Sequence, residues 1–322
     1  MKRINNLYSG ICSIENLVLA EKKARKGKSH QYGVKVFDRS PEEKLQAIHE
    51  SLINKTYKTS DYKTFTIYEP KERLISCLPY TDRIVHHAVM NKLEKIFTDT
   101  FTADTYSCIK GKGIYGFHRA FRKALNDVPG TKYCLKIDVK KFYPSIDHRI
   151  LKQLLRRKFK DQDLLWLLDG IINSAPGVPI GNYLSQFFAN FYLTGFDHWI
   201  KENQQVKYYF RYCDDIRILA SNKKELHGLL QKIREYFTDN LNLTMKSNYQ
   251  VFPVDPQGVD VIGYVFFHTH TRIRPSIKKS YARAMASNNT NIQTKAAYWG
   301  WAKHANTKHL IKKLLCQKQK AA

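Results

Sequence analysis

The chain has 322 residues, of which 43% are hydrophobic, so it can bury a sizeable core and lacks the composition of a disordered protein. Its 54 Lys and Arg residues outnumber 28 Asp and Glu residues, and the formal net charge of +26 indicates a polyanionic partner, nucleic acid before an anionic membrane. No apolar run of about 18 residues predicts a transmembrane helix, and the N-terminus lacks the apolar core of a signal peptide.

The N-terminal region is predicted to be mainly helical. Residues 14–29 begin with a helical apolar pattern and continue with five basic residues, which either contact phosphate or form a solvated face. Residues 40–43, Ser-Pro-Glu-Glu, have the pattern of a helix start, with the serine as N-cap and the last glutamate closing a capping box. An amphipathic helix over residues 82–97 contains His86 and His87, which we expect to pack or to face solvent rather than to bind a metal together, because adjacent helix positions face different ways.

Two turns that contain basic residues are predicted, one in a β-hairpin and one before a helix. Residues 64–68 and 74–78 predict a β-hairpin, because two β-prone runs flank a short polar turn. Residues 107–113 form a basic, glycine-rich turn before a predicted helix over residues 114–126, and its backbone can approach phosphate closely.

Asp138 lies at the end of a predicted strand that covers residues 133–139. Because strand side chains alternate, Leu135 and Ile137 share one face while Lys136 and Asp138 share the other. The Asp138 carboxylate is therefore predicted to lie off the apolar face.

Asp214 and Asp215 supply two further carboxylates in a predicted hairpin, where residues 212–215 form a polar turn between the β-prone runs 206–210 and 216–219. Adjacent carboxylates repel each other, and a divalent cation such as Mg²⁺, which prefers oxygen ligands, removes that conflict. An Asp-Asp pair on its own is also a common turn. If this hairpin lies beside the strand that ends at Asp138, the carboxylates converge, and such clusters hold two metal ions for displacement at phosphorus.

Three segments in this order resemble the motifs of a polymerase family. Residues 137–143 and 212–215 resemble motifs A and C of a reverse transcriptase palm, and residues 177–186 resemble motif B between them. Most reverse transcriptases carry Gln-Gly where this chain has Ile180-Gly181. The Ile-Gly-Asn core that ends in Ser-Gln is similar to the form found in reverse transcriptases of diversity-generating retroelements.

The resemblance implies nucleotidyl transfer with two Mg²⁺ ions, for which Mn²⁺ can substitute, and it implies a set of site residues. Asp214 is expected to be a firmer ligand than Asp215, because adjacent residues at a hairpin seldom point the same way. The implied catalytic residues are Asp138, Asp214, Asp215 and Lys246, and the implied metal ligands are Asp138, Val139, Asp214 and Asp215. The implied nucleotide-binding residues are Lys71, Arg73, Tyr143, Ile180 and Gly181. The implied primer and template contacts are Lys110, Lys112, Ser185, Gln186, Gly263 and Tyr264.

Several of these residues have an implied role and a simpler alternative. Lys71 and Arg73 resemble the basic hairpin that closes over the incoming triphosphate, or they belong to an ordinary exposed turn. Tyr143 lies five residues after Asp138, where the family places an aromatic gate against the 2′-hydroxyl, or it is a core aromatic. Ile180 lacks a donor or acceptor and is implied to weaken base discrimination, chiefly opposite template adenine, or it only packs against the fingers.

The expected fold class is α/β (α+β): a right-hand polymerase with an antiparallel-sheet palm, helical fingers and a short helical thumb. The expected domains are fingers over residues 1–130, palm over residues 131–270 with a remaining fingers segment at about 150–180, and thumb over residues 271–322. The implied partners are template RNA, cDNA or primer, deoxynucleoside triphosphates and an oligomer of a small basic helical accessory protein, without a membrane.

Two kinds of alternative function stay open. Within the enzyme class, the chain could be a retron or group II intron type of reverse transcriptase, although a maturase would need a longer C-terminal extension. From another class, it could be a basic RNA-binding protein with an inactive palm, against which the intact Asp138 and Asp214 argue. The scattered cysteines, none in a Cys-x-x-Cys pair, predict reduced thiols in a cytoplasmic protein. The family resemblance implies that this protein is bacterial or phage-encoded.

Overall fold

The structure, a computed structural model, describes residues 3–68, 72–287 and 290–320, without the side chains of residues 315–320. The chain divides into two compact units. The first unit comprises Met1–Ile109, Val139–Gln204 and Arg234–Met245. The second unit comprises Lys110–Asp138, Gln205–Ile233 and Lys246–Ala322.

Helices account for most of the described secondary structure. In chain order they are α1 (Tyr8–Cys12), α2 (Ile14–Arg25), α3 (Tyr32–Phe37), α4 (Pro41–Ile53), α5 (Tyr80–Thr98), α6 (Gly113–Ala124), α7 (His148–Lys158), α8 (Gln162–Asn173), α9 (Tyr183–Tyr192), α10 (Thr194–His198), α11 (Lys223–Leu241), α12 (Val254–Gln257), α13 (Pro275–Ala286), α14 (Ile292–Ala302) and α15 (Lys308–Lys320). Among the described residues, no helix combines the length and the apolar character needed to cross a membrane.

The strands form three antiparallel sheets within the described residues. They are β1 (Lys63–Ile67), β2 (Arg73–Cys77), β3 (Tyr133–Asp138), β4 (Tyr208–Tyr212), β5 (Asp215–Ala220), β6 (Gln250–Pro253), β7 (Val259–Val261), β8 (Tyr264–Phe266) and β9 (Thr271–Ile273). The pairing orders are β1-β2, β4-β5-β3-β6 and β7-β8-β9. The expected mixed class with an antiparallel sheet is therefore confirmed.

The first unit is built around a helical aromatic core. Phe97, at the end of α5, is fully buried, and its ring lies 5.1–6.4 Å from the ring centroids of Phe159, Phe187, Phe188 and Phe191. Asp161 caps α8 by accepting a hydrogen bond from the Leu164 amide, and its second oxygen accepts from the amides of Leu7 and Tyr8. This buried carboxylate thus ties the N-terminal segment to α8.

The second unit contains the four-stranded and the three-stranded sheet. Helix α6 covers one face of β4, where Phe117 and Phe121 pack against Phe210 with ring centroids 5.7 and 4.8 Å away. Phe121 also contacts Phe266 of β8, so α6 packs against both sheets. Burial of these rings holds the edge of the four-stranded sheet where the predicted carboxylates lie.

One local prediction is wrong. Ser40 precedes α4 and Pro41 occupies its first turn, but the Ser40 side chain makes no capping hydrogen bond. The Ser40 backbone (φ −152°, ψ 67°) does not bring its hydroxyl to the first-turn amides, so the predicted capping box does not form. The hairpin and helix bounds otherwise agree with the predictions to within a few residues.

Candidate active site

Strand β3 places Asp138 beside the hairpin that carries the other two aspartates. In the antiparallel β3–β5 pair, Asp138 lies directly opposite Asp215. Directly opposed residues project to the same face, so the two side chains share one side of the sheet. The predicted alternation is confirmed: Leu135 and Ile137 are fully buried, whereas Asp138 is partly exposed.

The turn of this hairpin is shorter than predicted. Tyr212 and Asp215 are paired across the ladder, which leaves a loop of two residues, Cys213 and Asp214. Tight two-residue hairpin loops match the strand twist when the loop residues adopt positive φ, and Cys213 has φ 55°. A non-glycine residue in this region stores local strain, a feature that occurs often at functional sites. Arg211 Nη1 donates a hydrogen bond of 3.0 Å to the Cys213 carbonyl and stabilises the loop.

Asp214 carries an electrostatic conflict. Burial of its carboxyl, together with the nearby carboxylate of Asp138, raises the pKa of Asp214 to about 7. Within the described chain, the Asp214 carboxylate has no cationic partner. A partly buried carboxylate beside a second one is the arrangement that an added cation relieves.

Asp138 is held by Lys246 through side chain and main chain. Lys246 Nζ forms an ion pair with Asp138 Oδ2, and the Lys246 amide donates a 2.9 Å hydrogen bond to the Asp138 carbonyl. Both side chains are partly exposed. The structure therefore brings together two residues that the sequence assigns to catalysis from segments more than 100 residues apart.

Asp215 faces a different partner. Its Oδ1 forms an ion pair with Nη1 of Arg217, a residue that is only 1% exposed. The structure thus brings Asp138, Asp214 and Asp215 to one edge of the sheet but directs the third carboxylate to a buried guanidinium.

Two of the four predicted metal ligands, Asp138 and Asp214, offer carboxylate oxygens of the kind that a hard divalent cation prefers. Over residues 3–68, 72–287 and 290–320, no group of three or more His, Cys, Asp or Glu side chains is arranged to hold a metal ion. The carboxylates of Asp138 and Asp214 nevertheless repel each other, and Mg²⁺, which prefers oxygen ligands, would neutralise their negative charge. Val139, another of the predicted ligands, is fully buried and offers only its main-chain carbonyl.

In the first unit, the motif B loop is docked onto β2 by its main chain. The Ser76 amide donates a 2.8 Å hydrogen bond to the Ile180 carbonyl. Gly181 has φ 126° and lies so close to the Ser76 carbonyl that a Cβ atom would overlap it. Ile180 is half-buried, and Arg73 at the start of β2 is exposed. Lys71, the other predicted phosphate ligand, lies outside the described residues.

Tyr143 begins a short 3₁₀ turn, Tyr143–Ser145, and is half-buried. Its carbonyl accepts a 3.0 Å hydrogen bond from the Val178 amide, which fixes the turn against the motif B loop. The preceding Phe142, by contrast, is buried. Tyr143 is therefore not a fully enclosed core aromatic, and its role as a sugar gate stays a prediction.

The predicted primer and template contacts differ in their exposure. Lys110 is exposed and Lys112, which precedes α6, is half-buried. On α9, Gln186 is exposed and accepts a hydrogen bond from the Cys108 thiol, whereas Ser185 is 4% exposed. The Ser185 side chain faces the protein interior because α9 packs on that side, so of this pair Gln186 alone presents its side chain at the surface.

Gly263 and Tyr264 are covered by α14, which the sequence does not predict. A Cβ atom at Gly263 would overlap the Trp301 ring, and Gly263 has φ 88°. Tyr264 is fully buried, and its hydroxyl donates a 3.0 Å hydrogen bond to the Trp301 carbonyl. Trp301 therefore shields both residues, and their expected contact with a primer stays a prediction.

Sequence reasoning missed Arg211 and Arg217, which flank the carboxylate turn. Both are fully buried, and each contacts the turn or its carboxylate. A charged residue between apolar neighbours in a strand is usually assigned to a solvent face. The signal available in the sequence was their placement on both sides of the Cys213–Asp214 loop, Arg211 two residues before Cys213 and Arg217 three residues after Asp214.

Comparisons with known proteins find relatives of the chain as a whole. The family model described as reverse transcriptase (RNA-dependent DNA polymerase) matches residues 54–266, more than half of the chain. Protein YkfC of Escherichia coli K12 is 22% identical over 310 residues, which cover 80% of this chain and 81% of YkfC. The group II intron-encoded protein LtrA of Lactococcus lactis is 25% identical over 206 residues, 60% of this chain but only 33% of LtrA.

Solved structures show the same fold at low identity. A telomerase from Candida albicans, in complex with a fragment of telomeric RNA, matches with a TM-score of 0.51 and 10% identity over 76% of this chain and 55% of its own. The apo telomerase from Candida tropicalis matches with a TM-score of 0.53 and 11% identity over 71% of this chain and 50% of its own. The chain spans about half the length of these telomerases.

Proposed function

Since the chain belongs to the reverse transcriptase family, we propose that it copies a template RNA into cDNA as an error-prone enzyme of a diversity-generating retroelement. The observation that carries the catalytic part is the pair of carboxylates, Asp138 and Asp214, at one edge of the β4-β5-β3-β6 sheet. An RNA-binding protein without catalysis has no need for two carboxylates that raise each other's energy.

Asp138 and Asp214 would hold Mg²⁺, with the Val139 carbonyl as a further ligand. When bound, the metal ions supply Lewis acidity toward the primer 3′-hydroxyl and the triphosphate. Lys246, which pairs with Asp138, carries the proton that the departing pyrophosphate takes up. The primer 3′-oxygen attacks the α-phosphorus, one bond forms to the primer strand, and the bond to pyrophosphate breaks.

Residues of the first unit would bind the incoming nucleotide. Arg73, with Lys71, suits the triphosphate because guanidinium forks match phosphate oxygens and ammonium acts as a point charge. Tyr143 would exclude the 2′-hydroxyl of a ribonucleotide. The net charge of +26 supports binding of the template RNA and the nascent cDNA.

Ile180, Gly181 and the Ser185-Gln186 pair support the retroelement assignment, because their pattern resembles that subfamily. On the same assignment, the proposed partner is an oligomer of a small basic helical accessory protein, and the proposed location is the bacterial cytoplasm. A group II intron type of enzyme is the second candidate, favoured by the 25% identity to LtrA over 206 residues.

Primer extension on a defined RNA template tests the proposal. The purified protein should extend an annealed DNA primer with deoxynucleotides and Mg²⁺, and not after chelation of the metal. Retained RNA binding without any extension would indicate the non-catalytic alternative. Sequencing the cDNA separates the two enzyme types: errors concentrated opposite adenine indicate the retroelement type, and a uniform error rate indicates the group II type.

A further inference from the structure

Two fully buried arginines lie on either side of the Cys213–Asp214 loop. Arg211 on β4 is 0% exposed and Arg217 on β5 is 1% exposed, and they are among the largest fully buried side chains. In the strand register Arg211 is opposite Ile216 and Arg217 is opposite Phe210, so the two side chains lie on opposite faces of the hairpin. Burying a guanidinium is costly unless an anion and hydrogen-bond acceptors compensate it.

Arg217 obtains its compensation from the hairpin and from β7. Its Nη1 pairs with Asp215 Oδ1 and also donates a 2.9 Å hydrogen bond to the Ile216 carbonyl. Its Nη2 donates a 2.8 Å hydrogen bond to the carbonyl of Asp260 on β7, while its Nε is buried without a partner among the described residues. Asp215 is the one carboxylate paired with Arg217 in the part of the chain that the structure describes.

The chain of contacts continues beyond β7. The Asp260 carboxylate accepts hydrogen bonds of 2.7 and 2.6 Å from Nε and Nη2 of Arg274, the residue that precedes α13. Arg217 therefore joins the carboxylate hairpin to the three-stranded sheet, and Arg274 joins that sheet to the start of α13. Every residue in this chain of contacts lies in the second unit.

We propose that Asp215 is the counter-ion of buried Arg217 rather than a metal ligand, and that Arg217 is the positioning residue that holds the Cys213–Asp214 loop against β7. Asp214 and Asp215, although adjacent, then have opposite effects on stability. The charge of Asp214 is opposed by burial and by Asp138, whereas the charge of Asp215 compensates Arg217. Neutralising Asp214 removes a repulsion, and neutralising Asp215 leaves a buried cation without its anion.

Urea unfolding of matched asparagine variants tests the counter-ion. We expect Asp215→Asn to lower the unfolding midpoint. The same isosteric change at the neighbouring position, Asp214→Asn, should leave the midpoint unchanged or raise it. The double variant Asp215→Asn/Arg217→Met should be more stable than the sum of the single changes predicts, because the uncompensated cation is gone. Equal midpoints for the two asparagine variants, or a strictly additive double variant, would overturn the proposal.

Hydrogen exchange of the hairpin tests the positioning role. Arg217→Lys keeps the positive charge near Asp215 but loses the planar fork that also reaches Asp260, so exchange across residues 208–220 should accelerate about tenfold while β6 exchanges as in wild type. Arg274→Gln changes a partly exposed arginine of the same chain of contacts, so it is the control and should not change exchange in the hairpin. Unchanged exchange in Arg217→Lys would exclude a positioning role.

A kinetic measurement extends the test and is the only part that rests on the proposed polymerase function. In primer extension, Arg217→Lys should raise the Mg²⁺ concentration for half-maximal rate about fivefold without changing primer–template affinity, since a displaced loop weakens the metal site. A smaller folded fraction alone would lower the rate without moving that concentration. A wild-type protein that extends no primer would contradict the proposed function, while unfolding and exchange would still decide the roles of Asp215 and Arg217.

Discussion

The Cys213–Asp214 loop and the Ile180–Gly181 loop both belong to polymerase-like motifs, but they are held in place by different means. Around the first, charged side chains form the contacts: Lys246 with Asp138 and Arg217 with Asp215. The second is held by its main chain, through the Ser76 amide on the Ile180 carbonyl and the close approach of Gly181 to the Ser76 carbonyl. Changes to the charged side chains that support the first loop should therefore alter its chemistry or its position, whereas the second loop should tolerate a new side chain at position 180 but not at position 181.

The carboxylate edge should show the largest effect on activity. Asp138→Ala or Asp214→Asn removes negative charge that the proposed metal ions require, so polymerisation should fall by about 10³-fold or more. The fold and the RNA affinity should persist, because Asp214→Asn relieves a repulsion and the Lys246 ion pair that Asp138→Ala removes is partly exposed. Primer extension and RNA titration measure the two properties, with Asp239→Asn, at an exposed position of α11, as the control. Activity within tenfold of wild type in either variant would refute the metal assignment.

Gly181→Ala tests the main-chain docking of the second loop. A Cβ atom would overlap the Ser76 carbonyl at a backbone φ of 126°, so we expect a loss of about 2 kcal/mol or more in the free energy of unfolding and a matching loss of activity. Gly170→Ala is the control, since Gly170 lies within α8 and a Cβ atom there would have no neighbouring atom within 4 Å, so alanine should stabilise by up to about 1 kcal/mol. Similar unfolding midpoints for the two variants would contradict the docking.

These two loops also show how far sequence alone reaches. The period of two along β3 correctly predicts that Asp138 leaves the apolar face, because alternation is a local property of a strand. The hairpin at Asp214 is predicted as well, but its turn is two residues shorter than expected, since the pairing of Tyr212 with Asp215 depends on a positive φ at Cys213.

Long-range contacts account for what the sequence does not predict. Trp301 is far from Gly263 in the sequence, and nothing local indicates that its ring covers that glycine and buries Tyr264. Arg217 lies in an apolar strand, where a charge suggests a solvent face, and its burial depends on Asp260 as much as on its neighbour Asp215. Such partners are fixed by tertiary packing, which no periodicity encodes.

Acid stability should report on His86, which packs in the unit that carries the second loop. Burial lowers the pKa of His86 to about 4, whereas an unfolded histidine titrates near 6.5. Between those values the unfolded chain binds a proton that the folded chain does not, so the free energy of unfolding falls as pH drops from about 6.5 to about 4, by at most about 1.4 kcal/mol per pH unit. Below the folded pKa this contribution stops changing.

Urea unfolding from pH 7 to pH 4 measures that dependence. His86→Leu removes one buried ionisable group at similar volume and should make the curve shallower, with a remainder from His87 and His118, whose burial lowers the pKa in the same way. His30→Leu at an exposed position should keep the wild-type slope. An unaltered slope in His86→Leu would assign the acid sensitivity to other groups.

Tyr143→Ala should relax the choice of sugar. Without the ring, nothing excludes a 2′-hydroxyl, and discrimination between dGTP and rGTP should fall by about 10–100-fold, the range that small shape differences contribute in a pocket. Tyr143→Phe keeps the ring and should keep the discrimination. Incorporation ratios from primer extension measure both variants, and an unchanged ratio in Tyr143→Ala would place the ring in a packing role.

Ile180→Gln should have the smallest effect, because it changes the side chain of the second loop while the main-chain bond to Ser76 remains. Isoleucine is stiff and offers no donor or acceptor, whereas glutamine can orient the templating base, and about 1.4 kcal/mol of discrimination corresponds to a tenfold lower error rate. We therefore expect wild type to misincorporate chiefly opposite adenine and Ile180→Gln to reduce those errors several-fold. Ile180→Leu, which stays apolar, should leave them unchanged. Sequencing of cDNA from a template with all four bases measures the errors, and an equally low wild-type rate at every base would refute both the role of Ile180 and the retroelement assignment.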